Sequence, residues 1–183
     1  MGTIIIITLF VTVLLFFSFA GKKGRIRQRK NIKTADKVIK QLSCFYGENK
    51  EARILSYLRK IDPFVFEELL LTSFEKLGYI IERNDRYTGD GGIDGRVCLN
   101  GKLYLIQAKR YKSYVNTKHL SDFLQLVNQT EQAEGGYFIH TGKTGKETYQ
   151  LYKNSRIEII SGDKLINLII QQNHGYKKSS NRT

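Results

Sequence analysis

The chain has 183 residues and a formal net charge of +13, with 30 Lys and Arg against 17 Asp and Glu. This length has room for one domain of ordinary size and short extensions, and excludes a large multidomain arrangement within the chain. The positive charge indicates a polyanionic partner, either nucleic acid or acidic lipid.

The charge is distributed unevenly along the chain. Residues 1–60 carry 13 Lys and Arg against three acids, whereas residues 61–170 carry 14 basic and 14 acidic residues. Residues 171–183 add three basic residues and are predicted to be a disordered tail. The central segment is therefore neutral, and the basic character belongs to its flanks.

An uncharged apolar run from Thr3 to Ala20 opens the chain and is long enough to cross a bilayer as a helix. A cleaved signal peptide is the rival interpretation, but the run is long for one and no basic segment precedes it. Seven Lys and Arg follow between residues 22 and 33, which marks the cytoplasmic side. We predict a transmembrane anchor over residues 1–21, with the remainder in the cytoplasm and the basic cluster within reach of anionic lipid.

Two helical patterns follow the anchor in residues 22–61. Val38, Ile39 and Leu42 share one stripe, and Ile54 and Leu58 share a second stripe after a break near residue 47. Neither segment contains a residue set with obvious chemistry. The sequence predicts a basic juxtamembrane segment and a helical stalk, or a small helical hairpin, that join the anchor to a domain over residues 62–170.

The domain is predicted to open with a helix. Asp62 is a good N-cap and Pro63 suits the first helical position, while Gly78 supplies the stop. Glu67 lies in the early turns, where an acid also suits the helix dipole. A strand from Tyr79 to Glu82 is predicted to follow.

A β-hairpin is predicted around Asn100-Gly101, because this dipeptide adopts the positive φ angles of a two-residue turn. Counting back from the turn places Gly95 opposite Ile106 and Asp94 opposite Gln107. Lys109, two residues beyond Gln107, then lies on the same face. A carboxylate, an amide oxygen and an ammonium thus converge, and such hard oxygen ligands beside a lysine suit Mg²⁺ with phosphate-containing substrates.

Helices and strands are predicted to alternate after the hairpin. Helices are expected over residues 117–134 and 146–154, with Gly135-Gly136 ending the first, strands over 137–140 and 156–160, and a closing helix to residue 170. Arg110, Lys112 and Lys143 are candidate contacts to DNA phosphates, although a solvated loop has the same composition. The run after His140 lacks the P-loop spacing. The pattern predicts an α/β fold with a mixed central sheet, helices on both faces and Leu103 to Lys109 as the central strand.

Three motifs between residues 61 and 170 resemble the Mrr-type branch of the PD-(D/E)xK nuclease superfamily, which has a restriction endonuclease-like core. They are Asp62-Pro63-Phe64-Val65-Phe66-Glu67, Gly89-Asp90-Gly91-Gly92-Ile93-Asp94 and Gln107-Ala108-Lys109-Arg110. The resemblance implies that Asp94 and Gln107 bind the metal and that Lys109 is the catalytic lysine. It implies that Glu67 helps to position the metal or the lysine.

The resemblance, taken together with the separately predicted anchor, leads us to expect a membrane-anchored endodeoxyribonuclease that uses Mg²⁺, with Mn²⁺ as a substitute. DNA and the membrane are its expected partners, and a homodimer is a candidate arrangement for cutting both strands. The alternative is a catalytically inactive DNA-binding or scaffolding module at the membrane. Salt-dependent DNA binding without cleavage would distinguish this alternative.

Overall fold

The structure is a computed structural model that describes residues 24–84 and 91–170. The predicted anchor over residues 1–21 and the predicted tail over residues 171–183 lie outside the described residues. Within the described ranges, no helix is both long and apolar enough to span a membrane.

One mixed sheet of five strands organises the described part of the chain, with the strands in sequence order. The strands are β1 (Ile80–Glu82), β2 (Gly95–Leu99), β3 (Lys102–Lys109), β4 (Ala133–His140) and β5 (Ile157–Ile160). The β1–β2 and β2–β3 pairs are antiparallel, whereas β3–β4 and β4–β5 are parallel. The predicted mixed sheet is confirmed, and β3 is its central strand.

The Asn100-Gly101 turn forms as predicted, with φ angles of 52° and 76°. The ladder from Leu99–Lys102 to Gly95–Ile106 follows the register counted from that turn. Because a two-residue turn fixes which residues are opposed, the sequence alone was sufficient to predict this part of the sheet.

Helices cover both faces of the sheet. Residues 24–43 (α1), α2 (Lys50–Leu58), α3 (Pro63–Lys76) and α6 (Asp163–Ile170) contribute to one hydrophobic core. The second core is formed with α4 (Thr117–Gln129) and α5 (Lys146–Tyr152). The sheet is thus enclosed between two apolar layers, which agrees with the predicted class.

The start and end of α3 are also as predicted. The Asp62 side chain accepts hydrogen bonds from the backbone N–H groups of Phe64 and Val65, and Pro63 is the first helical residue. Gly78, with a φ of 89°, follows the C-cap Leu77. Capping holds α3 in the place that brings Glu67 towards the hairpin.

The segment predicted to be a stalk packs into the domain instead of standing apart from it. Ala35 and Leu42 of α1 and Ile54 and Leu58 of α2 are fully buried in the core that also contains Phe66 of α3. Periodicity showed that each helix has an apolar stripe, but it did not show what covers that stripe. In the structure, α3 and α6 cover it, so the core extends to the amino-terminal side of residue 62.

Gly135 and Gly136 lie inside β4, which corrects the prediction that they end the preceding helix. That helix, α4, ends at Gln129, and the strand already begins at Ala133. A Cβ on Gly135 would lie 2.6 Å from the Arg156 carbonyl oxygen, and one on Gly136 would lie 2.7 Å from the Phe123 ring. The glycines are required by close packing across the strand and not by a turn.

His140 is a fully buried strand-end residue with a structural role. Its Nδ1 accepts the Gly142 N–H at 3.1 Å, so Nε2 carries the proton and donates to Thr144 Oγ1 at 2.9 Å. Burial lowers the pKa of His140 to about 4. The ring is therefore neutral in the folded chain at neutral pH.

We expect Gly135→Ala to lower the free energy of unfolding by roughly 2 kcal/mol or more, because the new methyl group meets a backbone carbonyl that cannot move aside. Gly24→Ala is the matched control, since Gly24 is exposed on α1 with nothing within 4 Å of the added Cβ. Urea denaturation of both variants measures the difference. Equal unfolding midpoints would contradict the packing role of Gly135.

We expect His140 to make the fold sensitive to acid. The pKa of His140 in the folded chain, about 4, lies below the ordinary histidine value of 6.5, so the unfolded chain takes up the proton first as the pH falls. The contribution of neutral His140 to the free energy of unfolding is complete above pH 6.5. It is lost as the pH falls towards 4, by up to about 3 kcal/mol. Urea titrations across this pH range should show a shallower acid loss for His140→Asn, which keeps an acceptor for Gly142. Identical pH dependence in both proteins would refute this.

Candidate active site

The candidate site lies at the end of the β2–β3 hairpin that is remote from its turn. In a regular antiparallel ladder, hydrogen bonds join directly opposed residues. Here the Asp94 N–H donates to the Ile106 carbonyl at 2.8 Å, although Gly95 already opposes Ile106. The predicted pair of Asp94 and Gln107 is therefore displaced by one residue, as in a β-bulge.

This displacement follows from the loop that enters the hairpin. Gly91 and Gly92 have φ angles of 63° and 93°, which turn the chain sharply just before the strand. The count from the Asn100-Gly101 turn assumed a regular ladder and did not take these glycines into account. The bulge changes which backbone group each side chain reaches.

Asp94 is held by a backbone group of the neighbouring strand. Its Oδ2 accepts the Ala108 N–H at 2.7 Å, so one carboxylate oxygen is engaged. Burial raises the pKa of Asp94, while the Ala108 hydrogen bond and the charge of Lys109 act in the opposite direction. The carboxylate thus lies in a partly desolvated position between two donors of β3.

Gln107 presents an amide oxygen that lacks a protein partner. The side chain is 8% exposed, and its Nε2 donates to the Gly92 carbonyl at 2.7 Å. Because that carbonyl requires a donor, the amide nitrogen must face it and Oε1 must face away. Among the described residues, Oε1 is buried without a hydrogen-bond partner. Gly92 permits this contact, since a Cβ there would lie 2.8 Å from Nε2.

Glu67 on α3 lies in the same electrostatic environment. Burial raises its pKa to about 8, helped by the negative charges of Asp94 and Glu68 and opposed by Lys109. Without a bound cation, Glu67 is therefore mostly protonated at neutral pH. Glu67, Asp94 and Lys109 lie close enough for their charges to interact.

Lys109 is the last residue of β3 and is half-buried. Its carbonyl accepts the Thr141 N–H at 3.2 Å, and the residue is paired with His140 of β4. In the described part of the chain, its ammonium forms no ion pair with a carboxylate. Lys109 is held through its backbone at the end of β3.

The three residues predicted to contact DNA differ in their surroundings. Lys112 and Lys143 are exposed near the carboxyl ends of β3 and β4. Arg110 instead turns inward, and its Nη1 donates to the carbonyls of Ile61 and Arg59 at the junction of α2 and α3. Its position is that of a structural residue, which residue type alone did not indicate.

Two residues that support the site were not predicted. The Arg59 guanidinium donates through Nε and Nη2 to the Thr141 carbonyl, at 3.1 and 2.7 Å. Asn84 donates from Nδ2 to the Ile93 carbonyl at 2.6 Å and so joins the two ends of the segment before Asp94. An Asn beside a strand end was a weak signal for such a link, whereas Arg59 had none, because its partner is 82 residues away.

The oxygen atoms of Asp94 and Gln107 suit a hard divalent cation, because Mg²⁺ needs few protein ligands when water and substrate oxygens complete its shell. The buried Oε1 of Gln107 is chemically suited to this role, since an unsatisfied buried acceptor otherwise costs about 1–3 kcal/mol. Within residues 24–84 and 91–170, no group of three or more His, Cys, Asp or Glu forms a metal cluster. On the hairpin, the carboxylate of Asp94 and the amide of Gln107 are the oxygen donors at this candidate site.

Comparison with a characterised protein gives a partial match. The type IV methyl-directed restriction enzyme EcoKMrr of Escherichia coli (strain K12) is 28% identical over 130 residues. The alignment covers 67% of this chain and 42% of that enzyme. The chain thus spans less than half the length of this relative.

The fold is similar to that of a solved structure, the MspJI restriction endonuclease in complex with a 27-mer oligonucleotide, with a TM-score of 0.51 and 22% identity. The match covers 71% of this chain and 34% of that one, and it concerns the fold alone. Residues 58–169 match the sequence model of the restriction endonuclease family Mrr_cat. With more than half of its length in that match, and with the fold and motif order described above, this chain belongs to the Mrr-type family of restriction endonuclease domains.

Proposed function

We propose that this chain is a metal-dependent endodeoxyribonuclease that hydrolyses DNA phosphodiester bonds. The observation that carries the proposal is the buried Gln107 Oε1, which lacks a protein partner beside the oriented carboxylate of Asp94. Membership of a restriction endonuclease family supports DNA as the substrate. The relative named as a methyl-directed restriction enzyme supports the same substrate class.

The metal would be held by Asp94 and Gln107, with Mg²⁺ as the expected ion and Mn²⁺ as a substitute. Glu67 supports this site, because a cation nearby would favour the ionised form of a carboxyl whose pKa is about 8. The bound ion would supply a Lewis acid that polarises a phosphodiester oxygen. Ala108 and Gly92 keep the two ligands in place through their backbone hydrogen bonds.

Lys109 is the proposed catalytic residue. Its amino group would orient the attacking water or, as the neutral amine, accept the proton of that water, and the ammonium form would stabilise the charge on the pentavalent phosphorus. The absence of an ion pair at Lys109 within the described part of the chain supports this role. Hydrogen bonds from Thr141 and the Arg59 guanidinium stabilise the backbone around it.

Residues 3–20 are proposed to anchor the enzyme in a membrane, with the nuclease domain on the cytoplasmic side. The proposal depends on the uncharged apolar run and on the basic residues that follow it. A second copy of the chain is the proposed partner for a double-strand cut, since a single site hydrolyses one strand at a time.

A second candidate function is a DNA-binding module without catalysis. It is favoured by the neutral Gln107 ligand and by the absence of a cluster of three acidic or other metal-binding side chains among the described residues. A neutral ligand contributes less to Mg²⁺ binding than a carboxylate. Salt-dependent DNA binding with no cleavage in Mg²⁺ or Mn²⁺ would support this candidate over the nuclease.

We expect Lys109→Ala to reduce DNA cleavage at least about a thousandfold, because it removes the group that acts on water and phosphate. Lys102→Ala is the matched control, since Lys102 is exposed at the other end of the same strand, about 23 Å away at 3.3 Å per residue. Nicking of a supercoiled plasmid in Mg²⁺ gives the rates, and circular dichroism checks folding. Unchanged cleavage by folded Lys109→Ala would refute its role.

We expect Gln107→Leu to raise the Mg²⁺ concentration for half-maximal cleavage by about tenfold, since one ligand oxygen is lost at similar side-chain volume. Mn²⁺ titration calorimetry should show the same loss of affinity without DNA present. Gln125→Leu, at an exposed position on α4, should leave both values unchanged. If Gln107→Leu keeps the affinity of the wild-type protein, Gln107 is not a metal ligand.

A further inference from the structure

Helix α1 carries a strip of positive charge that the proposed catalytic mechanism does not use. Successive residues of an α-helix are rotated by about 100° around its axis. The buried side chains of α1 fall on one side of the helix and include Ala35, Val38, Ile39 and Leu42. Exposed basic residues fall within an arc of about 100° on the opposite side. These residues, here called the basic stripe, are Arg29, Lys30, Lys33, Lys37 and Lys40.

The basic stripe is available to an external partner. In the described part of the chain, none of its members forms an ion pair. The ion pair that α1 does make there joins Asp36 to Lys76 and consumes no stripe residue. At a rise of 1.5 Å per residue the stripe is about 16 Å long, a length over which duplex DNA carries roughly nine phosphate charges.

The amino-terminal end of α1 is attached to the candidate site. Gln28 Nε2 donates to the Asn84 carbonyl at 3.1 Å, and Asn84 in turn binds the Ile93 carbonyl, next to Asp94. The Arg27 guanidinium lies 4.4 Å from the centre of the Phe64 ring, at the start of the helix that carries Glu67. The stripe therefore begins close to the segment that positions the metal ligands.

Electrostatics favours a polyanionic substrate for this surface. Residues 61–170 have equal numbers of basic and acidic side chains and supply no net attraction for DNA. A nuclease needs such attraction, because neutralisation of phosphates supplies essentially all of its sequence-independent affinity. Among the described residues, α1 supplies an unpaired run of cations that begins beside the site.

We infer that the basic stripe of α1 is a binding surface for the DNA phosphate backbone, which gives the neutral domain its sequence-independent affinity. This inference rests on the proposed function, in which DNA is the substrate. The stripe holds the duplex by salt-dependent contacts, while Asp94, Gln107 and Lys109 act on the phosphodiester bond. Anionic lipid is the competing ligand for the same charges, and the experiment below separates the two.

The test uses the full chain in nanodiscs of neutral lipid, with EDTA present so that binding is measured without cleavage. Fluorescence anisotropy of a labelled duplex gives the affinity over a range of NaCl concentrations. Lys33→Gln/Lys37→Gln removes two central charges of the stripe and keeps helix propensity, because Gln and Lys are similar helix formers. Lys102→Gln/Lys153→Gln is the control, with the same change in net charge at exposed positions outside the stripe.

We expect Lys33→Gln/Lys37→Gln to make the slope of log binding constant against log salt concentration less negative by about 1.8, because two phosphate contacts are lost. The same variant should weaken DNA binding roughly tenfold to a hundredfold. The control should keep the wild-type slope, and Lys33→Arg/Lys37→Arg should restore binding. Equal slopes for the stripe variant and the control would overturn the inference. The inference would also be overturned if the stripe variant bound DNA like the wild type but lost the thermal stabilisation that phosphatidylserine nanodiscs give the wild-type chain.

The two proposals fail in different ways. Absence of cleavage by the wild-type chain in Mg²⁺ or Mn²⁺ would overturn the nuclease and leave the EDTA binding measurement intact. Cleavage with equal salt slopes in both double variants would overturn the DNA-binding role of the stripe and leave the nuclease intact.

Discussion

The two-residue turn at Asn100-Gly101 is the constraint on which the site depends, because it sets the register of the hairpin that carries both proposed metal ligands. With that register and the bulge at Asp94 in place, the Ala108 N–H can reach the Asp94 carboxylate and the Gln107 amide can reach the Gly92 carbonyl. A slip of one residue would reverse the face of every side chain on β3. The chemistry at one end of the ribbon is thus governed by backbone geometry at the other end.

The second constraint is packing around the central strand. Lys109 leads directly into Arg110, whose guanidinium turns away from the site to bind the Ile61 carbonyl just before α3. Arg59 makes a similar contact to Thr141, beside the strand pair that ends at Lys109 and His140. Arg59 and Arg110, of which Arg110 was a predicted DNA contact, therefore connect the helical layer to the sheet. Exposed positive charge lies on the outer face of α1 and at Lys112 and Lys143.

The domain begins earlier in the chain than its motifs suggest, because α1 and α2 belong to its hydrophobic core. The matched family segment begins at residue 58, whereas the hydrophobic core includes residues from Ala35 onwards. Removal of α1 and α2 would expose the apolar surface of α3 and α6, so a fragment beginning at Asp62 would lack part of its core. An activity measured on such a fragment would report on an incomplete fold.

The sequence by itself determined the fold class, the α3 cap, the hairpin turn and the register as far as Gly95–Ile106, because these depend on local rules of φ, capping and alternation. The hairpin count also identified Asp94, Gln107 and Lys109 as candidates, and the family resemblance added Glu67. Only the tertiary structure decided the bulge at Asp94, the inward position of Arg110 and the burial of the apolar side of α1. The same is true of the Gln107 Oε1, which lacks a partner among the described residues. Those features depend on contacts between residues distant in the chain, which no local pattern encodes.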